Sequence, residues 1–262
     1  MTDSGSWVSL FSGGKDSSWA LYRALEEGLN VSHLLTVHPG EDSYMYHVPE
    51  TRLAGLAAES IGIPLVDVEP DDLDAGDVDD VGAQGDREIE PLEAALVELQ
   101  SDLDGGLAGV IAGAVESEFQ TSRIQEMCDR LEIDLFAPLW QRDPLELGRE
   151  MLDAGFEIRI IQVAAHGLDE SWLGRTLDAD ALTELVELND EYGVHVLGEG
   201  GEFETFVTDG PHMDRPIELE YETFVTHGPH MDRPIELEYE TVWEGTRGHI
   251  RVTDARLGEA TE

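Results

Sequence analysis

Lysine is almost absent from this sequence: of the 15 basic residues only Lys15 is a lysine, and all the others are arginine. Against them stand 58 aspartates and glutamates, which give a net charge of −43. The sequence has no basic stripe of the kind that a general nucleic-acid binder uses to displace counterions from phosphates. General binding of nucleic acid is therefore excluded.

Cysteine is equally scarce, because Cys128 is the only one in the chain. Internal disulfides, CxxC redox pairs and cysteine zinc clusters are therefore excluded. The residues around Cys128 have the spacing of an amphipathic helix, and we expect a small core residue there. Long apolar runs are missing too: none approaches the roughly 18 residues of a membrane span, and the polar N-terminus has no signal-peptide pattern. We expect a cytoplasmic protein that spans no membrane.

The acidic residues are spread along the whole chain, which still contains 41% hydrophobic residues. That apolar content is enough to bury a core and excludes simple disorder. A dispersed acidic excess with almost no lysine is typical of a protein that works in molar salt, where the Debye length is about 3 Å and self-repulsion is screened. The alternative, an acidic mimic of a basic partner, is disfavoured because apolar periodicity runs through the acidic sequence. We expect a halophilic protein.

Strand and helix patterns alternate along the first part of the chain. Strands are predicted over 7–11, 31–37, 63–68, 107–114, 135–140 and 157–165. Helices are predicted from the residues after Gly14 to Glu27, and over 49–60, 88–100, 117–131 and 143–154, with a solvated loop over 71–86. Such alternation with short connections predicts an α/β domain with a doubly wound parallel sheet, here residues 1–166. A helix over 180–192 and further strands predict a smaller α+β domain over residues 167–262.

The C-terminal part contains a direct repeat. Residues 204–221 read ETFVTDGPHMDRPIELEY and residues 222–239 read ETFVTHGPHMDRPIELEY, so the copies differ only at Asp209 and His227. Two copies are too few for a solenoid, and an even period preserves the alternation of a strand. We expect that either copy fits the same sheet position and that one copy is surplus to the fold, as an extra hairpin.

The segment SGGKDS, residues 12–17, carries the strongest chemical signal, because it follows a predicted strand and opens a predicted helix. Glycines let the backbone turn tightly and approach an anion, and the N–H groups at a helix N-terminus supply positive potential. Lys15 adds a cation, and Asp16 is suited to hold magnesium. The alternative is an ordinary strand–helix turn, but placing the only lysine of the chain here indicates that local chemistry requires it.

This phosphate loop is neither of the two commonest kinds. A Walker A loop would need glycine at position 9 and serine or threonine at position 16, where the chain has Ser9 and Asp16, and the Rossmann GxGxxG is absent. The segment resembles the PP-loop of the ATP pyrophosphatases, S-G-G-x-D-S. This resemblance implies the HUP-like, adenine nucleotide alpha hydrolase fold. It also implies that ATP is cleaved between its α and β phosphates, with AMP transferred to an oxygen and then displaced by nitrogen or sulfur.

Three further segments narrow the resemblance: SYMYH at 43–47, GAVESEFQTSR at 113–123, and GEGGEFET at 198–205. Together with the PP-loop they resemble the diphthine–ammonia ligase family over nearly the whole chain, although the second repeat copy departs from the family pattern. The resemblance implies adenylation of the diphthine carboxylate on the translation elongation factor, and attack by ammonia to form the amide. ATP and magnesium are the implied cofactors, and free ammonium is the simpler nitrogen source because no glutaminase signature is present.

The resemblance also implies roles for individual residues. Those that would bind ATP are Ser12, Gly13, Gly14, Lys15, Asp16, Ser17, Gly113, Gln120 and Arg123. Those that would act in catalysis are Lys15, Asp16, Glu202 and Glu204. Those that would contact the substrate, with the aromatic rings and carboxylates attracting its trimethylammonium group, are Tyr44, Tyr46, His47, Glu199, Gly201 and Glu202. The alternatives are a surface ion pair for Arg123 and a solvated loop for the glutamates. Trp140 is a further aromatic candidate for the trimethylammonium group, but core packing is favoured for it.

Two other functions stay open at this point. A PP-loop enzyme that thiolates or amidates tRNA is disfavoured because Cys128 has no partner cysteine and no basic face is visible. A non-catalytic adenine-nucleotide-binding module is disfavoured by the intact SGGKDS and the second, acidic motif. The sequence leaves the oligomeric state open, a homo-oligomer included.

Overall fold

The computed structural model describes residues 5–37, 50–68, 81–103, 105–115, 118–226 and 247–257. Its internal contacts divide the chain into two units. The first contains Met1–Arg142 together with His212–Asp214, and the second contains Asp143–Pro211 and Arg215–Glu262. We describe each unit by itself.

A parallel sheet forms the centre of the first unit, as the alternation of strands and helices predicts. Its strands are β1 Ser6–Leu10, β2 Val31–Val37, β3 Leu65–Val68, β4 Leu107–Ile111 and β5 Asp134–Phe136. They lie in the order β3-β2-β1-β4-β5, and each neighbouring pair is parallel. The order reverses at β1, so the carboxyl end of β1 lies at the point where open α/β sheets bind their ligands.

Helices connect these strands. They are α1 Lys15–Glu26, α2 Glu50–Ile61, α3 Val81–Asp102 and α4 Glu118–Leu131. Residues 81–86 belong to α3 and not to the predicted loop over 71–86. The prediction was wrong there because Gly82 and Gly85 hide the helical period. The fifth strand ends at Phe136 and not at Trp140, because the N–H of Trp140 closes a turn on Ala137 O at 3.2 Å.

The apolar core beside the sheet is formed by α3, α4 and the strands, with Leu96, Val110 and Met127 fully buried. Cys128 lies in this core, as predicted, and burial raises the pKa of its thiol to about 11. A thiol with that pKa carries very little thiolate near neutral pH, and so Cys128 is chemically inert.

The second unit is built on an antiparallel sheet. Its elements are α5 Pro144–Asp153, β6 Glu157–Val163, a 3₁₀ turn Glu170–Trp172, α6 Ala179–Tyr192, β7 Phe203–Asp209, β8 Ile217–Thr226 and β9 Arg247–Leu257. The strand order is β7-β6-β9-β8. Asp143 caps α5 by accepting the N–H of Glu146 at 2.8 Å, with Pro144 in the first helical position, as the sequence predicts.

The two units divide after Arg142, whereas the predicted domain boundary follows residue 166, and the difference comes from the position of β6. β6 is not a sixth parallel strand: it pairs antiparallel with β7 and β9, so the chain divides after Arg142. The alternating apolar residues of β6 fit either kind of sheet, and a helix followed closely by a strand is also what a parallel crossover looks like in sequence.

The repeat contributes to two strands. The first copy supplies most of β7 and the beginning of β8, and residues 222–226 of the second copy complete β8; residues 227–239 lie outside the described residues. The same five letters, ETFVT, thus form strand at 204–208 against β6 and at 222–226 against β9. Either copy of the pentapeptide can therefore occupy a strand of this sheet.

Deleting residues 222–239 is expected to preserve the fold. Tyr221 would then be followed by residues 240–244, ETVWE, in place of ETFVT. Since Thr226 pairs with Arg247 in β9, Glu244 would take that pairing position and leave only Gly245 and Thr246 as the hairpin loop, a glycine-first loop of the favoured type. The shorter connection should raise the free energy of unfolding by about 1–2 kcal/mol, as measured by urea denaturation. A less stable or non-cooperative variant would contradict this.

His212 is a titratable group packed within the first unit. Its ring centroid lies 6.3 Å from that of Tyr22, and the neighbouring Asp214 donates its N–H to the carbonyl of Ser60 at 2.8 Å. Burial lowers the pKa of His212 from 6.5 to about 4. Between these two values the unfolded chain binds a proton at this histidine and the folded protein does not, so protonation here favours unfolding.

We expect stability to fall through His212 as the pH is lowered from about 6.5 towards 4, by at most about 3 kcal/mol. The His212→Phe variant keeps a ring and removes the titration, so the wild type should lose stability relative to it across this window. Denaturant unfolding at pH 7, 5.5 and 4.5 in constant salt measures the difference. His166→Phe, at an exposed histidine, is the control. A difference between wild type and His212→Phe that stays constant with pH would disprove the prediction.

Candidate functional site

The start of the SGGKDS loop is tied to the neighbouring strand β2. Phe11, directly after β1, donates its N–H to Leu35 O at 2.9 Å, and its carbonyl accepts the hydroxyl of the buried Thr36. The chain therefore leaves the sheet at a fixed point beyond the carboxyl end of β1.

The loop then turns into α1 through its glycines. Gly13 has φ +80°, a conformation that favours glycine, and Gly14 is the N-cap with an extended backbone. Ser17 donates its hydroxyl to Gly14 O at 3.1 Å, and the Oγ of Ser12 accepts the N–H of Gly14 at 3.3 Å. Glycine has no side chain that could cap the helix, and Gly14 makes no side-chain cap hydrogen bond. The backbone N–H groups at the N-terminus of α1 therefore have the arrangement that binds anions at helix ends.

Lys15 lies in the first turn of α1, with only 4% of its surface exposed. A cation at this position opposes the helix dipole, which is positive at its N-terminus. Its Nζ lies 2.7 Å from Oδ2 of Asp16. The other carboxylate oxygen, Asp16 Oδ1, is buried and has no hydrogen-bond partner among the described residues. The site thus contains a buried cation and a buried carboxylate oxygen whose acceptor capacity is not used by the described residues.

Gly113, shortly after β4, lies against the loop. A Cβ at this position would be 2.7 Å from the carbonyl carbon and oxygen of Asp16 and 2.8 Å from the nitrogen of Ser17. No side chain fits between these backbones. The structure therefore gives Gly113 a packing role beside the loop, whereas its expected contact with nucleotide stays a prediction.

For the remaining residues predicted for this site, the structure describes only some of the positions. Gln120 and Arg123 lie on α4 in the same unit, and the side chain of Gln120 lies outside the described part of the chain. Tyr44, Tyr46 and His47 also lie outside the described residues. In the part that is described, no group of three or more histidine, cysteine, aspartate or glutamate side chains could hold a metal ion.

The acidic loop, residues 193–202, lies in the second unit between α6 and β7. The side chain of Glu202 folds back onto this loop: its Oε1 accepts the N–H of His195 at 3.1 Å and its Oε2 accepts the N–H of Gly200 at 2.8 Å. The carbonyl of Glu202 accepts the N–H of Ala164 at 2.7 Å, which fixes the loop to the end of β6. Glu199 and Glu204 are half-buried in the same region.

His195 is a residue of this loop that was not among the predicted site residues. Its Nδ1 accepts the N–H groups of Leu197 at 3.1 Å and Glu199 at 3.3 Å. The only sequence signal is that His195 and Glu202 flank the glycines of GEGG, the one shortly before them and the other directly after. A histidine near a glycine-rich turn is too common for that signal to be specific.

A serine- and glycine-rich loop that leaves the central parallel strand and opens a helix around a buried lysine defines the class: a PP-loop-type nucleotide-binding α/β protein. Sequence comparison then gives the family. The Diphthamide synthase N-terminal domain profile matches residues 5–135, and the Diphthamide synthase C-terminal domain profile matches residues 143–257. The chain belongs to the diphthine–ammonia ligase family.

Individual relatives agree with this assignment. The protein named Diphthine--ammonia ligase from Rattus norvegicus is 37% identical over 224 residues, which are 81% of this chain and 82% of the relative. The Homo sapiens protein of that name is 36% identical with the same coverage. The one from Saccharomyces cerevisiae is 34% identical over 227 residues, 78% of this chain but 33% of that relative.

A more distant likeness is to a solved structure titled as a predicted subunit of tRNA methyltransferase from Methanocaldococcus jannaschii. It has a TM-score of 0.42 and 19% identity, over 79% of this chain and 98% of that one. At that distance it carries no information on activity. Within the described residues, no helix has the length and apolar character needed to cross a membrane.

Replacing Gly113 with alanine is expected to weaken ATP binding about tenfold, because overpacking against rigid backbone typically costs about 1–3 kcal/mol. Isothermal titration of ATP in molar KCl measures the effect. Gly55→Ala on α2 is the matched control, since a Cβ there meets no atom within 4 Å. If Gly113→Ala and Gly55→Ala bound ATP equally well, the packing role would be wrong.

Proposed function

We propose that this chain catalyses the ATP-dependent amidation of diphthine on the translation elongation factor, the last step of diphthamide synthesis. Membership of the diphthine–ammonia ligase family supports this, as does the SGGKDS loop at the carboxyl end of the central strand. The observation that carries the proposal is the burial of Lys15 in the first turn of α1. Paired with Asp16 at 2.7 Å, this lysine places a buried cation beside the positive end of α1, where a polyanion such as a triphosphate would be attracted by both.

The reaction runs in two displacements. An oxygen of the diphthine carboxylate attacks the α-phosphorus of ATP, and the bond to the bridging oxygen of pyrophosphate breaks. Lys15 and the N–H groups at the start of α1 stabilise the charge that develops on the departing pyrophosphate. Ammonia then attacks the acyl carbon, the bond to AMP breaks and a proton is lost, which gives the amide. Ser12, Gly13, Gly14 and Ser17 shape the phosphate cradle, and Gly113, Gln120 and Arg123 are its proposed neighbours.

Magnesium fits the chemistry of Asp16. This residue has a buried carboxylate oxygen without a hydrogen-bond partner among the described residues, and Mg²⁺ is commonly bound by one or two carboxylates together with substrate phosphates. Bound there, the ion would neutralise charge on the phosphates of ATP. Asp16 would hold it through Oδ1 while Oδ2 keeps its contact with Lys15.

We propose that the acidic loop and the strand that follows it serve the amidation substrate. Its trimethylammonium group is a permanent cation, and carboxylates and aromatic rings are the groups that attract such cations. Glu199 and Glu204 are the carboxylates proposed for this contact, with Gly201 allowing close approach. Tyr44, Tyr46 and His47 are proposed to supply the aromatic side of the contact.

The setting of the enzyme is part of the proposal. The net charge of −43 and the absence of lysine outside the PP-loop support a halophilic protein. We place it in the cytoplasm, with the elongation factor, ATP and free ammonium as its substrates. Molar salt would screen the repulsion between this chain and the anionic nucleotide. A homo-oligomer is compatible with this activity.

The test is pyrophosphate release at about 2 M KCl with ATP, magnesium and ammonium, with and without diphthine-bearing elongation factor, where the Debye length is below about 3 Å. Release that depends on the factor, with AMP formed and one amide gained by mass spectrometry, is expected. Lys15→Gln should slow it by about 10²–10³-fold, since it removes a transition-state charge contact. The rate should also fall at about 0.1 M KCl, where self-repulsion is screened only beyond about 10 Å.

Arg23→Gln is the matched control, because Arg23 lies in the last turn of the same helix with an exposed side chain. It changes the net charge as Lys15→Gln does but leaves the PP-loop intact, so its rate should equal that of the wild type. Pyrophosphate release without the factor would direct the search to another carboxylate substrate. Tight ATP binding without any release would overturn the catalytic proposal in favour of a nucleotide-binding module.

A further inference from the structure

The acceptor atoms of two side chains in the acidic loop are already engaged with its own backbone. Both carboxylate oxygens of Glu202 and the Nδ1 of His195 accept N–H groups of that loop, four bonds in all between 2.8 and 3.3 Å. These bonds use the single lone pair of Nδ1 and one acceptor site on each oxygen of Glu202, so a proton taken up by either group would disturb them. Protonation would turn Nδ1 into a donor facing the N–H groups of Leu197 and Glu199, and would make the oxygens of Glu202 weaker acceptors, so either step would loosen the loop.

We propose that His195 and Glu202 are positioning residues: they hold the acidic loop in its substrate-binding conformation, and neither contacts the reacting atoms. This inference rests on the proposed amidation activity and revises the catalytic role that the family resemblance implies for Glu202. Glu199, whose N–H is held by His195, and Glu204 remain the carboxylates of the region proposed to meet the substrate.

The two side chains bind different parts of the loop backbone. Glu202 binds the beginning of the loop at His195 and its tip at Gly200, while His195 binds the residues between them, Leu197 and Glu199. A second layer of backbone bonds follows the same path, from Gly198 N–H to His195 O and from Gly201 N–H to Gly198 O, each at 3.0 Å. Loss of either side chain would therefore loosen the whole loop and not one bond.

Two substitutions of His195 separate the acceptor from the ring. Asparagine places a carbonyl oxygen one bond from Cγ, where histidine has Nδ1, so H195N keeps the acceptor. Phenylalanine keeps the volume of a ring and has no acceptor, so H195F removes both bonds to Leu197 and Glu199. Rescue by H195N but not by H195F distinguishes a positioning nitrogen from a merely packed ring.

The kinetic test uses the full chain in molar KCl. H195F should lower kcat/KM for diphthine-bearing elongation factor by about 100-fold, because misplacement of a binding group by about 1 Å has that effect. H195N should stay close to wild type, and the KM for ATP should not change in either variant. E202Q, which keeps one acceptor oxygen, should fall between wild type and H195F. Equal loss in H195N and H195F, or full activity in H195F, would overturn the proposal.

Hydrogen exchange of the unliganded protein tests the same point without activity. The peptide that contains residues 195–202 should exchange faster in H195F and E202Q than in wild type and H195N, while peptides from the PP-loop stay unchanged. A wild-type enzyme that makes no amide would defeat the proposed function, and the exchange pattern would still decide whether these residues position the loop. If H195F does not fold, E202Q against wild type decides, and unchanged exchange in E202Q overturns the proposal.

Discussion

The close approach of Gly113 to the backbone of Asp16 and Ser17 is the constraint on which the nucleotide site depends. It brings the chain after β4 against the first turn of α1, directly beyond the central strand β1. A methyl group at Gly113 would push the loop away from this position. The loop is held from the other side by Phe11, whose N–H and carbonyl both bond to β2. The phosphate cradle is thus fixed by backbone geometry, which makes it independent of the acidic surface around it.

That independence matters because surface electrostatics contribute little net attraction in this chain. In the second unit an ion pair joins Arg175 to Glu184 through two hydrogen bonds of 2.7 Å, with the guanidinium 4.4 Å from the ring centroid of Trp172. Exposed pairs of this kind contribute about 1 kcal/mol or less. They cannot offset a net charge of −43, and the molar salt proposed for this protein would reduce the repulsion by screening. Arginine suits such pairs, since its planar group binds a carboxylate at two points.

The sequence was sufficient to predict the parallel sheet and the phosphate loop, because both depend on local patterns: buried strands, a glycine turn and a helix start. It was insufficient for β6, since the apolar alternation of residues 157–163 fits a parallel and an antiparallel sheet equally well and only its partners β7 and β9 decide. The role of His195 was also out of reach. Its function is to accept two N–H groups from the residues that follow it, and a side chain's bonds to its own backbone leave no periodic trace.

The glycines of the acidic loop offer a structural explanation for the motif GEGGEFET at 198–205. The motif does not require that all its glutamates be catalytic. Gly198 and Gly201 have φ of +72° and +79°, and a Cβ on Gly200 would lie 2.8 Å from Oε1 of Glu202. A Cβ on Gly198 would lie 2.7 Å from the carbonyl oxygen of Phe203. Gly198 and Gly201 are therefore required by the backbone of the loop, and a side chain at Gly200 would displace the carboxylate of Glu202 from its bonds. The spacing of the glycines and of Glu202 in G-E-G-G-E is thus a requirement of this closure, and Glu202 belongs to the loop as its internal acceptor.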